Sequence, residues 1–211
     1  MQECKKHPGE EIRTGTMCNI CREEADAEQK NETRKQIILS GDFMSIPKRF
    51  RSATLGDFNN YYDYRPRESV LLTGNCGLGK THLAVALAKK AFLLSKDTLT
   101  QKGFFNFTVI GNKVKSSFHD KSVSSMESIV NEICKVPFCI LDDIGITGDK
   151  GTAFEALYVI VNERYENMLP TIYTTNLTLE GLQELYGDRI ASRLSSCKRI
   201  ALKGDDRRLQ K

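Results

Sequence analysis

Short apolar runs alternate with amphipathic stretches through most of the chain. SVLLT (69–73), FFNFTVI (104–110), PFCILDD (137–143), TIYTT (171–175) and RIAL (199–202) read as five strands. Runs this short and this continuously apolar suit strands buried on both faces. The stretches between them read as helices. Residues 82–94 are rich in helix formers and contain no breaker. SSME (124–127) and TAFE (152–155) match the capping box that opens a helix. After the first, Met126, Ile129, Val130 and Ile133 share one face; after the second, Phe154, Leu157, Val161 and Tyr165 do. Thr178 caps a short helix that stops at Gly187, and residues 189–194 form a further helical segment. The alternation predicts an α/β fold, a five-stranded parallel sheet sandwiched by helices, with ligands at the carboxyl ends of the strands.

The first third follows a different pattern. Residues 22–40 are dense in charges of alternating sign, with little apolar face before Ile37, Ile38 and Leu39. This predicts a solvated linker helix or a docking arm whose apolar end meets a partner. Gly41 and Pro47 punctuate the boundary that follows. Residues 46–68 carry Phe50, Tyr61, Tyr62 and Tyr64, which either cover a nucleotide base or pack an edge, with packing the better reading. The expected organisation is a small module over residues 1–22, a linker or docking helix over 23–45 and the main domain over 46–211.

Composition narrows the class. The 211 residues are 40% hydrophobic and 27% charged, with a net charge of +4. These values are ordinary for a soluble globular protein and compatible with a nucleic-acid partner. The longest apolar runs are far shorter than a membrane span, and no secretory leader is evident. Seven cysteines, an odd number, argue against a disulfide framework and for a reducing compartment.

The chemistry centres on GNCGLGKT, residues 74–81, which fits the phosphate-binding P-loop G-x-x-x-x-G-K-[ST]. A triphosphate needs several backbone N–H donors curled round one anion, and Gly74, Gly77 and Gly79 allow so tight a bend. Asn75, Cys76 and Leu78 complete the loop, Lys80 reaches the β- and γ-phosphates, and Thr81 offers a hydroxyl to Mg2+. His82 continues into a helix whose positive end faces the phosphates. Phosphoryl transfer also needs metal ligands and an oriented water. Asp142 is the expected second Mg2+ ligand, and Asp143 the group that polarises the water. Asn176 orients that water, touches the γ-phosphate or caps a turn. Arg189 and Arg193, four apart, form either a cationic fork that reaches a neighbouring subunit's nucleotide or a surface basic face.

Cys4, His7, Cys18 and Cys21 follow the spacing C-x2-H-x10-C-x2-C. Two tight pairs of ligands across a short loop suit tetrahedral Zn2+. Three thiolates and one imidazole leave no open position, so the ion would be structural, and a segment this small needs it to fold.

IPKRF (46–50), GNCGLGKTHLA (74–84), CILDDIG (139–145), YTTNL (173–177) and YGDRIASRL (186–194) together resemble the AAA+ ATPase domain of the DnaC-type helicase loaders. That domain is itself similar to the transposition helper IstB and the initiator DnaA. The resemblance runs over about residues 46–204, which leaves no place for the helical lid of larger AAA+ proteins. Cys4, His7, Cys18 and Cys21 resemble the zinc module ahead of this domain in some loaders, often phage or plasmid encoded. The resemblance implies an ATP- and Mg2+-dependent ATPase in the bacterial cytoplasm, with Asn176 as sensor, Arg193 as arginine finger and Arg189 as a second basic group. Asp143 stands where many AAA+ enzymes carry Glu, which implies slow turnover. The implied partners are a hexameric replicative helicase, gripped by the amino-terminal region, single-stranded DNA and further copies of the chain. Lys113, Lys115 and Phe118 resemble a stretch in which an aromatic contacts single-stranded DNA, although Phe118 reads equally well as core. Two other readings stay open: an IstB-like transposition helper, and a non-hydrolysing zinc-stapled adaptor.

Overall fold

The computed structural model describes residues 2–12, 17–40, 43–58, 64–95, 103–117, 125–145 and 151–209. The chain divides into two compact units, Met1–Ser40 and Gly41–Lys211.

In the first unit, β1 (Gln2–Glu3) pairs antiparallel with β2 (Glu11–Ile12). The connection turns where Pro8 and Gly9 require it, with Gly9 at φ 90°. Helix α1 runs over Asn19–Ser40, starting directly after Cys18. Its surface is exposed over most of its length, and Leu39 is left in solvent. With so little to pack, local pairs hold it: Gln36 donates to Glu32 at 3.2 Å, and Lys35 pairs with Glu32 at 3.4 Å.

The second unit is built on a five-stranded sheet. In chain order it contains β3 (Val70–Thr73), α2 (Lys80–Leu94), β4 (Phe104–Asn106), α3 (Phe107–Ser117), α4 (Met126–Lys135) and β5 (Cys139–Ile144). It continues with α5 (Thr152–Glu166), β6 (Thr171–Thr175), α6 (Leu179–Ser195) and β7 (Lys198–Ala201). The strand order is β4-β5-β6-β3-β7, and every pairing is parallel. Leu71, Leu141 and Tyr173 lie in register across β3, β5 and β6. They share one core with Phe107, Ile129, Leu157 and Ile190 from α3, α4, α5 and α6. Helix α2 also packs on β3, β5 and β6. No helix among the described residues is long and apolar enough to cross a membrane.

Several expectations shift. The apolar run 104–110 is not one strand: β4 stops at Asn106, and the rest begins α3. The Asn106 side-chain oxygen accepts the Val109 N–H at 3.1 Å, which caps the helix. Helical spacing then buries Phe107, Ile110 and Val114. Helix α4 is capped by Ser125, whose hydroxyl accepts the Ser128 N–H at 3.3 Å, rather than by Ser124, which lies outside the described residues. Thr152 is the first residue of α5 instead of its cap, and Gly151 precedes it without a side-chain bond. Tyr165, expected in the buried stripe of α5, is half exposed, while Arg164 beside it is fully buried. Thr178 does cap α6, accepting from the Gly181 N–H at 3.1 Å, and Gly187, at φ 80°, kinks it where a stop was expected.

Candidate functional site

Chain turns at the carboxyl ends of β3, β5 and β6 build the site. After β3 the chain curls through residues 74–79 with Gly74, Gly77 and Gly79 at φ 137°, 80° and 89°. A Cβ at Gly74 would lie 2.6 Å from the Leu202 carbonyl oxygen, so the end of the last strand admits only glycine there. Gly79 is the left-handed cap of α2, which makes Lys80 and Thr81 its first residues. Lys80 is 7% exposed and donates to the carbonyls of Gly74 and Asn75, each at 2.8 Å, and to the side-chain oxygen of Asn176. Burial lowers its pKa, opposed by Cys76, Asp143 and Asp142.

The acid pair lies at the end of β5. Asp142 is buried, and its Oδ1 accepts from the hydroxyls of Thr81 and Thr174, each at 2.8 Å. Asn106 approaches Oδ2 at 3.5 Å. Burial raises the Asp142 pKa, and the Thr174 and Thr81 hydroxyls counter it. The strand is irregular between Leu141 and Ile144, and Asp143 takes a left-handed backbone at φ 63°. Its side chain accepts from Asn176 at 3.4 Å. Lys80, Thr81, Asp142, Asp143 and Asn176 therefore form one connected group, as the motifs predict.

Other predicted residues lie apart from this group. Among the described contacts, the two arginines on α6 meet α5 rather than the phosphate loop. Arg189 donates to the Tyr158 hydroxyl at 3.4 Å. Arg193 lies over the Tyr165 ring at 5.6 Å and 3.7 Å from Glu166. Lys113 and Lys115 are exposed on α3. Phe118, Tyr61 and Tyr62 lie outside the described residues, and Tyr64 is buried, in line with packing.

Three features had no local signal. His82, read as the nucleotide-site residue that leads into the helix, pairs with Asp57 at 2.9 Å. Arg207, in the segment after β7, stacks over the Phe58 ring at 4.3 Å. Its backbone N–H bonds the Gly77 carbonyl at 3.1 Å and its guanidinium the Asp57 carbonyl at 3.0 Å. The tail is thereby tied to the phosphate loop. Thr174, inside β6, touches both acids.

Cys4, His7, Cys18 and Cys21 form a separate cluster in the first unit. Their ligand atoms all lie within 4.8 Å of one another. The His7 Nδ1 is 3.9 Å from Cys4 Sγ, 3.6 Å from Cys18 Sγ and 3.3 Å from Cys21 Sγ, and Cys4 and Cys21 are 3.6 Å apart. Such separations are close to the edges of a tetrahedron with zinc–ligand bonds of about 2.0–2.3 Å, so the set fits structural zinc. Glu24, which the spacing did not reveal, lies 3.3 Å from His7 Nε2, where a carboxylate orients a ligating imidazole. Metal analysis of the purified chain is expected to find one zinc per molecule. Structural zinc supplies about 10–16 kcal/mol in small modules, so chelation or Cys18→Ser should open residues 1–40 to proteolysis. Nucleotide binding by the second unit should persist. A metal-free chain with a protease-resistant amino end would contradict this reading.

Residues 59–211 match the family described as IstB-like ATP binding protein. The replicative helicase loader DnaC of Escherichia coli K12 is 27% identical over 126 residues, which make up 60% of this chain and 49% of that protein. The chain thus spans about half the length of the curated relatives it matches. Among solved structures, the DnaC helicase loader superposes with a TM-score of 0.60 at 23% identity, covering 74% of this chain and 100% of the other. DnaI does so with a TM-score of 0.56 at 20% identity, covering 77% and 94%. At identities this low the likeness shows the fold alone, a five-stranded parallel sheet flanked by helices.

Proposed function

Because the chain belongs to the IstB-like ATP-binding protein family, we propose that it is an ATPase that loads a hexameric replicative helicase onto single-stranded DNA. The observation that carries the ATPase half is the connected group of Lys80, Thr81, Asp142, Asp143 and Asn176. The similarity to DnaC, whose name makes it a replicative helicase loader, supports the client.

The loop amides of residues 74–79 and the Lys80 ammonium bind the phosphates, turning the lysine's donors from carbonyls to anionic oxygens. Thr81 and Asp142 would hold Mg2+, which neutralises charge on the phosphates when bound. Asp143 polarises the attacking water, and Asn176, already bonded to both Lys80 and Asp143, orients it. Arg193 acts on a neighbouring subunit's nucleotide, with Arg189 beside it. Lys113, Lys115 and Phe118 contact the DNA strand. The zinc module and the helix after it grip the helicase. ATP binding favours assembly on DNA, and hydrolysis permits release. None of the seven cysteines is in a disulfide, which suits work in a reducing cytoplasm.

The test is to mix the purified chain with the purified hexameric helicase and ATP and measure the mass of the complex by light scattering. One ATP-dependent complex is expected, lost in Cys18→Ser, whose ATP affinity stays within about threefold of wild type if the grip lies at the amino end. Free helicase and free chain at micromolar concentrations would overturn the loader reading.

A further inference from the structure

Two consecutive carboxylates at a strand end ordinarily point to opposite faces. Here the irregularity between Leu141 and Ile144 and the left-handed Asp143 keep both beside the phosphate loop. Such a backbone is rare for a residue with a side chain and persists where its surroundings hold it. One atom supplies much of that hold. The hydroxyl of Thr174 on β6 donates to Asp142 Oδ1 at 2.8 Å and accepts the Asp143 backbone N–H at 2.9 Å. Its single proton and a lone pair are both spent, one on each acid residue. The side chain is 1% exposed, so water cannot take over either bond. The branched Cβ restricts the rotamer and aims the oxygen. Two residues on, Asn176 reaches Lys80 and Asp143.

We infer that Thr174 is a positioning residue for ATP hydrolysis: its one hydroxyl sets the Asp142 carboxylate against Thr81 and fixes the backbone that presents Asp143 to the reacting phosphate. The inference rests on the ATPase reading above. Thr174 touches neither nucleotide nor metal, and it acts through the two acids. A hydroxyl that merely satisfied a core position would leave metal dependence unchanged on replacement, whereas this one orients a metal ligand.

Thr174→Val keeps the shape and removes both bonds; Thr174→Ser keeps both bonds. Binding of a fluorescent ATP analogue is measured in EDTA and across a Mg2+ titration, beside steady-state hydrolysis and melting temperature. In EDTA, Thr174→Val should bind within about twofold of wild type, because the loop and Lys80 are untouched. Its half-saturating Mg2+ concentration should rise about ten- to a hundredfold, the usual cost of losing a group that orients a metal ligand. Its kcat should fall over a similar range of about ten- to a hundredfold, with KM for ATP changing less than about threefold. Thr174→Ser should recover both within about threefold. Wild-type Mg2+ dependence and kcat in Thr174→Val overturns the inference, as does a Thr174→Ser variant as impaired as Thr174→Val. A wild-type chain that binds the analogue with Mg2+ but does not hydrolyse ATP overturns the ATPase reading instead. The Mg2+ titration of binding still reads the role of Thr174 at the acid pair.

Discussion

Lys80→Ala is expected to weaken ATP binding by at least about a hundredfold. The buried ammonium has three acceptors, the Gly74 and Asn75 carbonyls and Asn176. Phosphate oxygens would replace these with charge-assisted bonds worth about 1.5–3 kcal/mol each. Losing two such bonds costs about 3 kcal/mol or more, and about 1.4 kcal/mol is one decade of affinity. Electrostatics adds to the loss. The only cation in the connected group disappears, while Asp142 and Asp143 remain to face a triphosphate of like charge. Folding should survive, because the Asn75 backbone lies near solvent and water can replace the lysine's donors. The measurement is nucleotide titration beside the thermal shift produced by saturating ATP. Wild type should gain several degrees and the variant none. An unchanged dissociation constant would mean that nucleotide binds elsewhere.

Arg164→Leu is expected to be the most damaging substitution for stability. Its guanidinium is fully buried and supplies donors to Ile133 O and Val136 O at 2.8 Å, Pro170 O at 3.1 Å and the Thr171 hydroxyl at 2.7 Å. It binds the end of α4, the turn after α5 and the start of β6 into one corner of the core. Leucine would leave three of these acceptors, the Ile133 and Val136 carbonyls and the Thr171 hydroxyl, without a donor, while the Pro170 carbonyl keeps the Cys139 N–H at 3.4 Å. Each buried orphan costs about 1–3 kcal/mol, so a loss of about 4 kcal/mol or more follows even after relaxation. That is a large share of the roughly 5–15 kcal/mol that holds a typical domain. Arg164→Lys should recover little of it, because an ammonium cannot span the fork of acceptors. Urea unfolding at fixed nucleotide concentration measures the effect through the midpoint. A loss below about 1 kcal/mol would show that the corner holds without the guanidinium.

Arg164 also shows where sequence reading runs out. In α5 it follows Glu163 and precedes Tyr165, and a charged residue among polar neighbours reads as solvent-facing. Its burial comes from acceptors up to 31 residues away in the chain, which no local pattern encodes. The β4–α3 boundary was hidden for a related reason. Phe104–Ile110 has strand-forming composition, and the cap from Asn106 decides where it bends. Arg207 stands on Phe58 across 149 positions, and its backbone meets the loop at Gly77 across 130. The opposite holds for the P-loop, the acid pair in β5, Asn176 after β6 and the cysteine–histidine spacing. Each is short in sequence because its chemistry is short in space. The strand-end group was legible because a parallel α/β sheet collects the carboxyl ends of its strands on one edge. What joins that group, the Thr174 hydroxyl, was not legible, because a threonine inside a strand looks like any other β-former.

The most direct test of the loader account uses covalently closed single-stranded DNA, onto which a closed hexameric helicase cannot thread. The helicase is incubated with this DNA, ATP and the chain, and the helicase bound to the circle after gel filtration is counted. The account predicts helicase on the circle only with the wild-type chain and ATP, and none with Lys80→Ala. Equal helicase on the circle with and without the chain would contradict it.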